Sequence, residues 1–88
     1  MIIRFDRGLW FGGGPRYRSE CLKAIKRAIA SGKIKRSARC QRCGKRPKRP
    51  TLPTGAELTA AGLKVACWLC TKCFFAVRNG TTNEVELI

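Results

Sequence analysis

The sequence predicts a small α+β domain that is stabilised by zinc and carries a basic amphipathic helix near its N-terminus. Three observations lead to this prediction. The chain has only 88 residues, and a chain of this size buries too little apolar surface to be stable without a staple. Two Cys-x-x-Cys pairs offer metal ligands, and 19 Lys and Arg residues against five acids give a formal charge of +14.

The two cysteine pairs, Cys40 with Cys43 and Cys70 with Cys73, predict one structural zinc site. Two residues between cysteines let both sulfurs of a tight turn face one ion, and two such turns complete a tetrahedron. Gly44 supplies the permissive backbone that such a turn needs. Because the chain contains no His, all four ligands would be thiolates. The alternatives are disulfides or buried thiols, but metal-type spacing without a secretory signal favours a reducing cytosol and zinc.

A third cysteine leaves the second pair of ligands open, because Cys67 and Cys70 have the same spacing as Cys70 and Cys73. We favour Cys70 and Cys73. Residues 63–69 are rich in apolar side chains and predict a strand, in which Cys67 is an ordinary side chain, and residues 71–79 predict a short helix. Cys70 and Cys73 would then lie at a helix N-terminus, where free N–H groups and the helix dipole favour thiolates.

The chain ahead of the first cysteines predicts an arm and a helix. Residues 1–14 form the arm, in which we expect Trp10 and Phe11 to fold back onto the core; an exposed aromatic patch for a partner is the alternative. Residues 15–31 form the helix, because apolar residues from Leu22 to Ile29 recur at helical spacing. Cys21 lies in the same stripe and is predicted to be buried rather than a ligand. The zinc-binding domain would span 15–80.

The segments on either side of the second cysteine pair are less regular. Pro47, Pro50 and Pro53 favour an extended chain outside any central strand. Residues 54–62 predict a short helix or helical turn that ends at Gly62. Residues 81–88 form an acidic C-terminal tail that could add an edge strand beside the arm.

The positive charge indicates a polyanionic partner, with nucleic acid first, an acidic protein surface second and anionic membrane a distant third. Residues 33–49 are the most basic stretch and contain the first cysteine pair, so a metal would hold their charges in a fixed array. The predicted nucleic-acid contacts are Lys33, Lys35, Arg36, Arg39, Arg42, Lys45, Arg46, Lys48 and Arg49, with Lys23, Lys26 and Arg27 from the helix.

Two segments, AIKRAIASGKIKRSARCQRCGK and VACWLCTKCF, carry a family resemblance. The pattern CxxCG followed by WLCxxC resembles small HNH-type proteins that are frequent in bacteriophage genomes, over about residues 23–74. The resemblance implies a treble-clef or zinc-ribbon-like unit with an intervening hairpin. It also implies that Cys40, Cys43, Cys70 and Cys73 hold one structural zinc. A phage origin would place the protein in the host cytoplasm.

The chain departs from that family where catalysis takes place. Active members carry histidines between and after the cysteine pairs, whereas Phe74 follows Cys73 and no His is present. Glu57 is the sole acid between the pairs, and a metal-assisted nuclease needs a general base and a metal cradle. We therefore expect a catalytically inactive HNH-like scaffold rather than an enzyme.

The leading functional expectation is a non-catalytic zinc protein that binds nucleic acid, with DNA favoured over RNA. A small viral-type protein that binds a host nucleic-acid machine, such as a polymerase, nuclease or ribosome, is the alternative, and a ribosomal component is a further one. No segment approaches transmembrane length or forms a signal peptide. We expect a cytoplasmic protein with no membrane partner and no small-molecule substrate.

Overall fold

The computed structural model describes residues 1–12 and 15–88, so Gly13 and Gly14 of the predicted arm lie outside the described residues. Two helices and six short strands, with a π-helical turn, make up the described α+β fold. In chain order they are β1 (Ile2–Arg4), the π-helical turn (Gly8–Gly12), α1 (Pro15–Ala30), β2 (Leu52–Thr54), β3 (Glu57–Thr59), β4 (Gly62–Lys64), β5 (Cys67–Leu69), α2 (Thr71–Asn79) and β6 (Glu84–Glu86).

The four central strands form one long hairpin. β2 pairs antiparallel with β5, Leu52 lying opposite Leu69, and β3 pairs antiparallel with β4, Glu57 lying opposite Lys64. Both pairs keep the same register, so the two ribbons are one hairpin, interrupted at 55–56 and 65–66. Pro53 is tolerated within β2 because both strands of a two-stranded ribbon have a free edge, where the missing N–H group costs nothing.

The prediction of a helix over 54–62 is wrong, since this segment turns the hairpin. Gly55 has a φ of +68°, which ends any helix at its first turn. A Cβ at Gly55 would lie 2.7 Å from Cβ of Phe5 and 2.9 Å from that of Ala66, so the backbone is held close to both. The short Ala-rich run that favoured a helix is too brief to be stable alone, and strand pairing prevails.

The arm and the tail meet in a separate ribbon. β1 pairs antiparallel with β6, and Ile3 lies opposite Val85. Val85 and Leu87 are buried, while Glu84 and Glu86, which alternate with them, are exposed. The N-terminal amino group also donates to the Leu87 carbonyl over 3.0 Å. The alternating apolar and acidic residues of the tail therefore form the edge strand beside the arm that the sequence predicts.

α1 packs on the core through a narrower stripe than its apolar residues suggest. Cys21 and Ile25 are buried, and the Cys21 thiol donates to the Ala56 carbonyl over 3.8 Å, which ties the helix to the hairpin. Leu22, predicted for the same stripe, is 44 % exposed. It is one residue, or about 100° of helix rotation, away from Cys21.

The aromatic residues of the arm fold back onto the core. Trp10 is buried, and Phe11 lies between Phe5 and Phe74, with ring centroids 6.1 Å and 5.7 Å away. The alternative of an exposed patch at Trp10 and Phe11 is therefore wrong. Across the described residues, no helix combines the length and apolar character that crossing a membrane requires.

Arg7 fastens the arm to the end of α2. Its guanidinium donates to the carbonyls of Val77, Arg78 and Thr82, the latter two over 3.1 Å. These carbonyls are at or just beyond the C-terminus of the helix, where few N–H donors are available, although the Gly80 N–H also donates to the Val77 carbonyl over 3.2 Å. The guanidinium also lies over the Phe11 ring, 5.1 Å from its centroid. Arg7 thus caps the helix that carries the second cysteine pair.

Candidate metal centre

The first cysteine pair lies on a tight turn that begins at Cys40. The Gly44 N–H donates to the Cys40 carbonyl over 2.8 Å, and the Cys40 N–H donates to the Lys45 carbonyl over 2.9 Å. Gly44 has a φ of +75°, a conformation that favours glycine. Its Cβ position would lie 2.5 Å from Cδ1 of Ile88, so the C-terminal residue lies directly against the turn.

The second pair lies at the N-terminus of α2, as the sequence predicts. Cys70 is the N-cap residue, with extended backbone, and its sulfur accepts the N–H of Cys73 over 3.5 Å. The Cys70 carbonyl accepts the first helical hydrogen bond, from the Phe74 N–H, over 2.8 Å. The geometry that begins the helix thereby brings both thiols to the same side of the turn.

The Sγ atoms of Cys40, Cys43, Cys70 and Cys73 all lie within 4.8 Å of one another. The Cys43 and Cys70 sulfurs are 3.9 Å apart. A tetrahedral zinc site with Zn–S bonds of about 2.3 Å separates its sulfurs by about 3.8 Å. These four cysteines could therefore hold one metal ion, and four thiolates fit zinc. All six cysteines of the chain are free, so the disulfide alternative is not the arrangement found.

Cys67, the other candidate ligand, does not join this cluster. It lies on β5 opposite Thr54 and is almost fully buried. Burial, and secondarily the charge of the neighbouring Cys40, raises the pKa of the Cys67 thiol to about 12. Burial also raises the pKa of Cys21. Both thiols are therefore neutral at physiological pH and behave as small apolar side chains.

The surroundings of Cys40 favour its thiolate. Burial alone raises its pKa, but backbone N–H groups of Cys43, Cys70 and Arg42 donate to the sulfur and lower the pKa to about 6. Cys73 differs, because burial raises its pKa to about 12. The sulfurs would share protons through S–H···S contacts in the metal-free cluster, and binding of a divalent cation would release those protons.

Gln41 connects the first turn to the rest of the domain, a role that the sequence did not reveal. Its N–H donates to the Trp68 carbonyl, and its side-chain Oε1 accepts the Trp68 N–H, both over 2.9 Å. Its own carbonyl accepts the Ile88 N–H over 3.0 Å. One residue between two ligands thus joins the turn to β5 and to the C-terminus. Trp68 and Leu69 are buried beside the site.

The basic residues divide between separate surfaces. A groove of about 680 Å³ lies between the first cysteine turn and the N-terminus of α2. Its basic lining residues are Arg42, Lys45, Arg46, Lys48, Arg49 and Lys72; we call it the basic groove. Lys72 was not among the predicted contacts, because only the fold places α2 opposite the basic stretch.

The remaining predicted contacts lie outside this groove. Arg36 is on the far side of segment 46–49, and its guanidinium lies over the Trp68 ring, 5.7 Å from the centroid. Arg27 and Lys33 line a different groove, between α1 and the tip of the hairpin. Arg39 lies beside the chain ends, and Lys23, Lys26 and Lys35 are exposed.

No family model matches the chain, and comparisons with curated proteins and with solved structures found no match to it. Function is therefore inferred from the chemistry of the cysteine cluster and from the charges around it.

Proposed function

We propose that this chain is a non-catalytic zinc protein that binds nucleic acid, DNA in preference to RNA, through the basic groove. The observation that supports the proposal most directly is the position of that groove. Cys43 lines one wall, and Cys70 and Cys73 line the other; five of the six basic side chains come from residues 42–49, and the sixth, Lys72, comes from α2. A phosphate backbone lying in the groove would meet positive charge on both sides.

Zinc would have a structural role in this function. Cys40 and Cys43 belong to the wall formed by the first turn, while Cys70 and Cys73 belong to α2. Bound zinc would hold the two walls together against the repulsion of their positive charges. Four thiolates and one zinc ion contribute a net charge of minus two, so about +12 of the formal +14 remains on the loaded protein. That charge favours a polyanionic ligand.

The resemblance to small HNH-type phage proteins supports a treble-clef-like fold for the elements that carry and connect the two cysteine pairs. The order here is a cysteine turn, a hairpin over 52–69, and a helix that begins at the second pair. The lack of catalytic function is inferred from the residues themselves. The chain has no His, and Glu57 is the sole acid between the pairs, so no general base accompanies the cluster.

A viral-type protein that binds a host nucleic-acid machine stays the alternative proposal. Its candidate contacts are Trp10, Phe11 and the glycines at 12–14; of these, Trp10 is 2 % exposed and Phe11 packs between two phenylalanines. We therefore place nucleic-acid binding through the basic groove first.

A comparison of two neutralised surfaces tests the proposal. The groove variant replaces Arg46, Lys48 and Arg49 with Gln, and the matched control replaces Arg16, Arg18 and Lys64, which are not among the predicted contacts, with Gln. Each variant loses three charges, so the net charge falls equally. Fluorescence anisotropy on a duplex oligonucleotide should show a much larger loss of affinity for the groove variant. Equal losses would mean that binding follows net charge alone, and failure of the unmodified protein to bind either a duplex or a single strand would refute the proposal.

A further inference from the structure

The solvent-facing side of α2 carries an aromatic side chain between two basic ones. Phe75 is 44 % exposed, and it is the one aromatic residue in the exposed class across the described part of the chain. Lys72 and Arg78 lie three residues before and after it, so all three occupy neighbouring positions on the helix surface. Its sequence neighbour Phe74 instead packs against Phe11 in the core. The exposed ring is therefore not needed to close the core.

The Phe75 ring is held in position although it faces solvent. It meets the Phe74 ring edge to face, with centroids 5.6 Å apart and planes at 85°. The Arg78 guanidinium lies over the ring, 5.9 Å from its centroid. The helix end behind it is fixed by Arg7, which donates to the Arg78 carbonyl. A ring held in this way loses little conformational freedom when it binds a flat ligand.

This aromatic site lies next to the basic groove on α2. Lys72 and Ala76 line the groove, and Phe75 lies between them in sequence, one helical step to the side. A nucleic-acid strand whose phosphates lie along the groove would reach Phe75 where it leaves the groove along α2. Positive charge next to an exposed aromatic ring is the combination by which proteins bind single-stranded nucleic acid.

We propose that Phe75 is a stacking site for an unpaired base, with Lys72 and Arg78 contacting the phosphates on either side of it. This inference rests on the proposed function and makes its ligand more specific. The faces of a base within a duplex are covered by its neighbours, so Phe75 can stack only where a base is free. The preferred ligand is therefore nucleic acid with a single-stranded segment.

The test compares Phe75→Leu and Phe75→Tyr on a single-stranded oligonucleotide and on the duplex of the same sequence. Loss of one base–aromatic contact weakens binding by about 5- to 150-fold. We expect Phe75→Leu to lose that much on the single strand and to be unchanged on the duplex, while Phe75→Tyr keeps the affinity of the unmodified protein. Leu58→Ala removes another apolar side chain that is 45 % exposed, and it should leave both affinities unchanged.

A photochemical cross-link gives a second measurement on the unmodified chain, which does not depend on the stability of any variant. Halogenated pyrimidines in the single strand should cross-link to Phe75, identified by mass spectrometry of the digested complex. A cross-link elsewhere, or equal affinity of Phe75→Leu and the unmodified protein for the single strand, would overturn the stacking site while leaving the groove intact. Failure of the unmodified protein to bind either oligonucleotide would refute both proposals.

Discussion

Replacing Gly55 with alanine should destabilise the fold strongly, because the arm and the hairpin meet at this residue. Gly55 has a φ of +68°, and an added Cβ would lie 2.7 Å from Cβ of Phe5 and 2.9 Å from Cβ of Ala66. These contacts involve atoms next to the backbone, which cannot rotate away. Gly55→Ala therefore combines backbone strain with a steric clash that two segments would have to relieve by moving apart.

The two terms can be estimated separately. A left-handed conformation costs an alanine about 1–2 kcal/mol, and overpacking a tight site costs about 1–3 kcal/mol more. The free energy of unfolding should thus fall by about 2–5 kcal/mol. Gly32→Ala is the matched control, because Gly32 has a φ of +79° with nothing within 4 Å of the added Cβ. It should lose only about 1–2 kcal/mol.

Thermal unfolding followed by circular dichroism, at one fixed free zinc concentration, measures both variants, since a bound metal makes Tm depend on its concentration. In a domain of this size each kcal/mol lowers Tm by about 4–8 °C. We expect Gly55→Ala to melt well below Gly32→Ala. Equal Tm values would show that no close contact exists at Gly55 and would refute the packing of the arm against the hairpin.

Three further predictions follow from the cysteines and the helix cap. Cys73→Ser should lose bound zinc and the folded structure, whereas Cys21→Ser should keep both. Metal analysis and circular dichroism measure the two properties. If Cys67→Ser loses zinc and Cys73→Ser retains it, the proposed ligand set is wrong. Because burial raises the pKa of Cys67 to about 12, its thiol should resist iodoacetamide at pH 8 in the zinc-loaded protein, and mass spectrometry that finds rapid modification would refute this burial. Arg7→Met should lower the free energy of unfolding by about 1–3 kcal/mol, because it removes the hydrogen bonds of a charged donor to the end of α2. Arg4→Met, which loses one exposed ion pair, should cost below about 1 kcal/mol, and equal losses in urea denaturation would contradict the capping role of Arg7.

The features that the sequence predicted correctly are those determined by neighbouring residues. α2 begins after Cys70 because the N-cap and the following apolar spacing are local signals, and this start also brings Cys70 and Cys73 rather than Cys67 into the cluster. α1 was predicted to within one residue of its end at Ala30. The turn at Gly44 was predicted because a Cys-x-x-Cys pair followed by glycine is a local pattern.

The features that the sequence did not predict depend on contacts between distant segments. Residues 54–62, predicted to be helical, form the turn of a hairpin because Gly55 lies against Phe5, which is fifty residues earlier in the chain. Gln41 has no local signature, since its hydrogen bonds go to Trp68 and Ile88. Lys72 joins the basic groove only because α2 lies opposite the first cysteine turn. Periodicity and spacing carry no information on such contacts.

The most direct test of the central claim is fluorescence anisotropy of the zinc-loaded protein with a labelled oligonucleotide, across a salt series. The logarithm of the affinity should fall linearly with the logarithm of the salt concentration. The slope should be about −0.7 per phosphate contact on a single strand and about −0.9 on a duplex. Several contacts in the basic groove should give a slope of several units, and removing the zinc with a chelator should abolish tight binding. Binding that does not change with salt, or no binding at low salt, would contradict the claim that the basic groove holds a nucleic-acid backbone.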